Sequence, residues 1–274
     1  MPASPDTILF IHGLWLTPRS WENFASRYES RGYRVLAPAW PGMEVEVEGL
    51  RRDPTLLDGL DLKRVVDHYD QIIRGLGEPP ILIGHSLGGS ITQLLLDRGL
   101  GAVAVGLAPG TVKGVPDLPL STLRASFAVL RNPFKRGKGI PYSRQQFKYA
   151  MANTLDEETS DRLWERYAVP AASGVLFDIA LATFARSSPA ALNFENDDRA
   201  PMLFVAFGED HVVPPKVIRH NVSKYDKSGA VTEYREFAGR PHFPGAPGWE
   251  EVADAALSWA LDKAETRRPV AVVS

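Results

Sequence analysis

Cysteine is absent from this chain of 274 residues, which excludes disulfides, thiolate-bound zinc and a cysteine nucleophile and leaves the redox compartment open. Long apolar runs are absent too. No stretch approaches the ~20 apolar residues of a membrane-spanning helix. The opening MPASPD is not the basic segment leading into an apolar one that marks a secretory signal. A soluble, cytoplasmic protein without stable membrane insertion is therefore expected. Nor is there an excess of one charge: 31 Lys and Arg against 33 Asp and Glu leave a formal net charge of −2. The whole chain thus makes no electrostatic case for nucleic acid or an anionic membrane. The local exception is Arg131-Asn132-Pro133-Phe134-Lys135-Arg136-Gly137-Lys138. With Pro and Gly inside it, this stretch reads as a solvated loop or as a phosphate or phospholipid contact. Internal repeats, low-complexity tracts and clustered metal-ligand spacings are missing as well, so no metal and no cofactor is expected.

What is present has the balance of a globular chain, 44% hydrophobic and 23% charged, and is long enough for one large domain or a core with an insertion. Short apolar runs alternate with amphipathic stretches, the pattern of a parallel sheet covered by helices. Strands are predicted at Thr7–His12, Arg34–Pro38, Pro80–Gly84, Ala102–Leu107, Met202–Phe207 and Thr232–Phe237. Most are near-continuously apolar, as strands buried on both faces are, and the last has the mixed pattern of an edge. Helices are predicted after Thr17-Pro18, over Leu62–Leu76, over Ser86–Arg98, and from about Val252 to the polar tail at Thr266. From Pro109 to about Arg199 the alternation breaks. That interval has helical patterns at Arg144–Ala152, Glu157–Tyr167 and Val175–Phe184 but no convincing strand.

Residues 81–89 read ILIGHSLGG. Gly84-His85-Ser86-Leu87-Gly88 is a G-x-S-x-G that follows an apolar strand and precedes an amphipathic helix, the context that gives this motif its meaning. A tight strand-to-helix turn needs small flanking residues and lifts the serine hydroxyl toward the positive end of the helix. Such a serine is a candidate nucleophile; the alternative is an ordinary turn with serine as a cap. A hydroxyl needs a base and a group to orient that base. His242, just after the last strand, is the candidate base. His68 and His220 read as surface residues, the His85 ring should point away from the hydroxyl, and His12 should hold its loop by hydrogen bonds. Asp210 follows the strand at Met202–Phe207 and is the candidate acid, with Glu209 as the fallback and a turn cap as the bland reading. Backbone N–H groups of Leu87 and Leu14 would stabilise an oxyanion. Trp15 and Trp40, on loops at strand ends, are candidate pocket walls or packing residues.

The order Ser86, Asp210, His242, with His12-Gly13 after the first strand, resembles the α/β-hydrolase superfamily over about residues 6–262. The resemblance implies a mostly parallel sheet of about six or seven strands with helices on both faces. It also implies a core from residues 1–109 and 200–274 and a mostly helical cap at 110–199. Members of that superfamily often begin with an extra antiparallel hairpin, whereas six residues precede the first strand here, so a trimmed sheet of about six parallel strands is expected, with room for one further short strand. A serine nucleophile speaks against the epoxide-hydrolase and haloalkane-dehalogenase branches, which need a carboxylate there. The implied activity is hydrolysis of a carboxylic ester, lactone or thioester through an acyl-enzyme, on a small-molecule substrate. The alternatives are C–C hydrolase, hydroxynitrile lyase or perhydrolase chemistry on the same residues, or a hydrolase-like receptor. Ten large side chains in the insertion, among them Phe127, Tyr142, Phe147 and Phe184, either line an apolar pocket or glue the cap together.

Overall fold

The computed structural model describes residues 5–266; residues 1–4 and the polar tail from 267 lie outside the described residues. The predicted apolar runs form strands β1 (Thr7–Ile11), β2 (Arg34–Leu36), β3 (Ile81–His85), β4 (Val103–Leu107), β7 (Met202–Phe207) and β8 (Thr232–Phe237), with the two-residue β5 (Gly139–Ile140) and β6 (Ala171–Ala172) between β4 and β7. The six longer runs make one sheet in the order β2-β1-β3-β4-β7-β8, every neighbouring pair parallel. Strands β1, β3, β4 and β7 are wholly buried, whereas β8 is half-buried at the edge. The apolar continuity of the first set and the mixed pattern of the last both follow from these positions.

The helices are α1 (Glu22–Glu29), α2 (Val47–Arg52), α3 (Leu62–Arg74), α4 (Leu87–Asp97), α5 (Leu120–Leu130), α6 (Arg144–Ala150), α7 (Glu157–Tyr167), α8 (Ser173–Ala180), α9 (Pro215–Ser223) and α10 (Trp249–Thr266). Local chemistry starts several of them. Asp61 accepts the N–H of Arg64 at the head of α3, Asp156 that of Thr159 at α7, and Ser143 with Gln146 closes a capping box on α6. Thr17 caps a short 3-10 turn, Pro18–Trp21, that runs on into α1. The core beneath is aromatic: Phe10 of β1 stacks on Trp21 at 4.5 Å and meets Phe24 edge-on. The Tyr28 hydroxyl donates to the Ala253 carbonyl and Arg27 forks onto Asp254, which ties α1 to α10.

Two findings in the interval from Pro109 to Arg199 differ from the sequence reading. Residues 139–140 and 171–172 form a small antiparallel ladder where no strand was expected; two residues are too few to print a periodic pattern. Helix α5 was not expected either. It buries Ala125, Ser126 and Val129 while Leu120, Leu123 and Phe127 are exposed, so the contrast that marks a helix in sequence is inverted.

The parallel register decides where chemistry can gather. Ile11 lies beside Gly84, His85 beside Leu107, and Phe207 beside Phe237. The loops after β1, β3, β7 and β8 therefore leave the sheet at one edge. The chain also reverses its direction of travel across the sheet between β1 and β3, the place where open α/β sheets leave a crevice.

Candidate active site

Ser86 sits between β3 and α4 with φ 54° and ψ −123°, a strained conformation for a residue with a side chain. Three carbonyl contacts hold the turn: the Ser86 carbonyl accepts N–H groups from Gly89, Ser90 and Gly110 at 2.8, 3.2 and 2.8 Å. The motif glycines are required by contact. A Cβ on Gly84 would lie 2.3 Å from the Gly88 carbonyl oxygen, and one on Gly88 would lie 2.1 Å from that of Ile11. The helix can thus reach its position against β1 only without side chains there.

Across the crevice, the structure brings three of the predicted residues together. The Ser86 hydroxyl is 2.9 Å from His242 Nε2, and His242 Nδ1 is 2.6 Å from Asp210 Oδ2. All three side chains are buried. A carboxylate only accepts, so Nδ1 carries the proton and Nε2 is left to accept from the hydroxyl. Asp210 makes both kinds of contact at once: Oδ1 caps the turn by accepting the N–H groups of Val212 and Val213 at 2.7 and 2.8 Å, while Oδ2 accepts from the imidazole. Glu209 is exposed, and its bonds are those of its backbone: the N–H donates to the Arg240 carbonyl and the carbonyl accepts from Asn153.

The neighbouring histidines are buried and bonded. His85 turns away from the hydroxyl, and its Nε2 donates to the His242 carbonyl at 2.9 Å with the two rings 4.7 Å apart. Burial first, and the adjacent His242 second, push its pKa well below the ordinary value. Its Nδ1 has no partner. His12 donates from Nδ1 to the Gly13 carbonyl and accepts the Trp40 N–H at Nε2, and burial lowers its pKa to about 4. His68 and His220 are half-buried and stand apart, on the Ala39 carbonyl and on the Asp117 carboxylate respectively.

Gly13 presses against the serine: a Cβ there would lie 2.8 Å from Ser86 Cβ. The next residue, Leu14, and Leu87 both line a mostly apolar cavity that opens over Ser86. Leu87 is the first residue of α4, so its N–H has no acceptor within the helix. Trp15 lines the same cavity, stacked on Tyr142 at 4.7 Å. Trp40 does not. It is buried and stacked on His12 at 4.8 Å, because the His12 ring bonds its backbone N–H and draws the indole into the core. The opposite wall, formed by Thr122, Ser126 and Leu130 of α5 with Leu176 and Ile179 of α8, was not foreseen in sequence. Of the ten large insertion side chains, Phe184 reaches the cavity; Tyr142, Phe147 and Tyr167 pack on Trp15 and Phe243 instead. Among the described residues no cluster of His, Asp and Glu is spaced to hold a metal ion, and no helix is long and apolar enough to cross a membrane.

Comparison with known proteins agrees with this architecture. A model of the alpha/beta hydrolase family matches residues 8–255. No curated protein matches the chain by sequence. The structure is similar to monoacylglycerol lipase from Paleococcus ferrophilus, with TM-score 0.65 and 20% identity over 95% of this chain and 96% of that one. It is also similar to a pyrethroid hydrolase from Sphingobium faniae JZ-2, with TM-score 0.67 and 19% identity over 94% and 98%. A tomato methylketone synthase I variant gives TM-score 0.66 and 16% identity over 95% and 98%. At such identities the likeness establishes the fold.

Proposed function

The chain belongs to the alpha/beta hydrolase family, and we propose that within it the protein is a serine hydrolase of carboxylic esters with an apolar acyl or alcohol part. The observation that carries this reading is the buried hydrogen-bonded run Ser86–His242–Asp210, whose Ser86 end lines an apolar cavity. Ser86 Oγ attacks the ester carbonyl as its proton passes to His242 Nε2, giving a tetrahedral oxyanion. Asp210 holds the imidazole in the required tautomer and offsets its positive charge. The N–H groups of Leu87 and Leu14 receive the oxyanion. Collapse returns the proton to the leaving alcohol and leaves an acyl-enzyme, which water, deprotonated by the same imidazole, hydrolyses. Residues 110–199 act as a cap that selects the substrate, with Trp15 as part of the facing wall. No cofactor enters any step. The chemistry named for two neighbours, a lipase and a pyrethroid hydrolase, is compatible with this reading.

The test is hydrolysis of a chain-length series of p-nitrophenyl esters together with fluorophosphonate labelling. Ser86→Ala should lose labelling and at least ~10⁴-fold in kcat, and His242→Ala nearly as much. Asp210→Asn should lose on the order of 10³- to 10⁴-fold through the wrong histidine tautomer, and Glu209→Gln should lose nothing. Labelling without turnover of any ester would transfer the same residues to lyase or C–C bond chemistry.

A further inference from the structure

The near-zero net charge of the chain conceals a segment of one sign. From Leu118 to Leu155 there are seven Lys and Arg residues and no Asp or Glu. The same segment breaks the usual rule for a soluble helix. In α5 small residues face inward, whereas Leu120 and Phe127 are 85% and 61% exposed, and Phe134 in the following turn is 95% exposed. Large apolar side chains held in water over a continuous area mark an interaction surface.

These side chains belong to one wall. The turn from Pro133 to Lys138 is pinned to α8 by the Arg136–Asp178 ion pair at 2.7 Å and by the Ser173 hydroxyl, which donates to the Lys135 carbonyl at 2.8 Å. Helix α5 packs directly on α8. The wall also borders the cavity. Thr122, Ser126 and Leu130 line it from α5, and its lip is formed by Leu118 and Phe184, which are 43% and 81% exposed. Arg131 and Lys135 flank Phe134, are exposed, and form no ion pair among the described residues.

We propose that this wall docks on a lipid surface carrying anionic head groups, with the cavity mouth turned toward it. Exposed Leu and Phe side chains interleaved with uncompensated cations fit such a surface, where the rings enter the acyl boundary and the cations meet the phosphates. An acidic protein would satisfy the cations but not the apolar rings, and a second copy of this chain would bring like charge against like. The docking itself is independent of the chemistry at Ser86. Its consequence for substrate, a lipid-soluble ester that passes from the surface into the cavity without crossing water, rests on the ester-hydrolase reading.

The experiment is flotation of the full-length protein with phosphatidylcholine vesicles, with and without phosphatidylglycerol. The protein should float with the anionic vesicles, and added salt should release it. Arg131→Gln with Lys135→Gln should weaken partition on the order of 30-fold, at roughly 1 kcal/mol per cation near the surface. Phe127→Ser with Phe134→Ser should weaken it at either salt concentration. Neither pair should change hydrolysis of a short soluble ester, which also reports that the variants fold. Ser86→Ala should float like the wild type, so failure of the ester-hydrolase reading would leave this result standing. No flotation with anionic vesicles would overturn the proposal. So would binding to polyglutamate without flotation, or a dimer in sedimentation analysis that Phe127→Ser with Phe134→Ser dissociates.

Discussion

His12 shows how a residue at the site can be tied to stability and to pH. Its buried ring is neutral in the folded protein, where burial holds its pKa at about 4 against an ordinary 6.5. Between those values the unfolded chain binds a proton that the folded chain refuses, so stability is full above 6.5 and falls as the pH is lowered toward 4. The depression corresponds to about 3 kcal/mol. Urea midpoints measured from about pH 7 down to about pH 4.5 should fall less steeply in His12→Gln than in the wild type; equal slopes would remove His12 as the cause. The pairing of His85 with the His242 carbonyl predicts a different readout. His85→Ala leaves that buried carbonyl unpaired and loosens the loop that aims His242, which should lower kcat roughly tenfold with little change in KM. His85→Gln, which restores an N–H donor, should recover part of the loss. A change confined to KM would place His85 in substrate binding instead.

At the scale of elements, the strand–turn–helix around Ser86 is a packing solution as much as a chemical one. Gly88→Ala would drive its new methyl into the Ile11 carbonyl of β1, separating α4 from the sheet. A loss of about 3 kcal/mol or more in urea unfolding, with hydrolysis abolished, is expected. Gly99, just beyond α4, has φ +74° and open space around it; Gly99→Ala should cost about 1 kcal/mol from backbone strain alone and keep activity. Elements whose burial matches their periodicity were visible in the sequence: α3 buries Leu62, Val65, Val66, Tyr69 and Ile73 along one stripe. Elements built against the rule were not. Helix α5 carries its largest apolar groups outward, and β5 and β6 are two residues long.

For the whole molecule, the consequential feature is a cavity walled on one side by loops of the sheet edge and on the other by α5 and α8. Transfer of apolar surface into it is worth about 0.8 kcal/mol per methylene. In the p-nitrophenyl ester series kcat/KM should therefore rise roughly fourfold per added methylene until the cavity is filled, and then level off or fall. A flat series would mean that the acyl chain stays in water. Whole-chain charge would not have revealed the basic wall, since a sum over 274 residues cancels what one segment concentrates.

The sequence by itself determined the parallel α/β architecture and the tight turn at Ser86, because both rest on local patterns: apolar continuity in strands, period in helices, and glycines where no side chain fits. It also placed His242 and Asp210 just beyond strand ends, and in a parallel sheet strand ends share one edge. Only the tertiary structure decided that Asp210 rather than Glu209 meets the imidazole, that Trp40 belongs to the core, and that α5 forms the far wall of the cavity. Those choices depend on the direction of individual side chains across contacts between segments distant in the chain. Such directions are set by packing, and packing leaves no periodic trace in the order of residues.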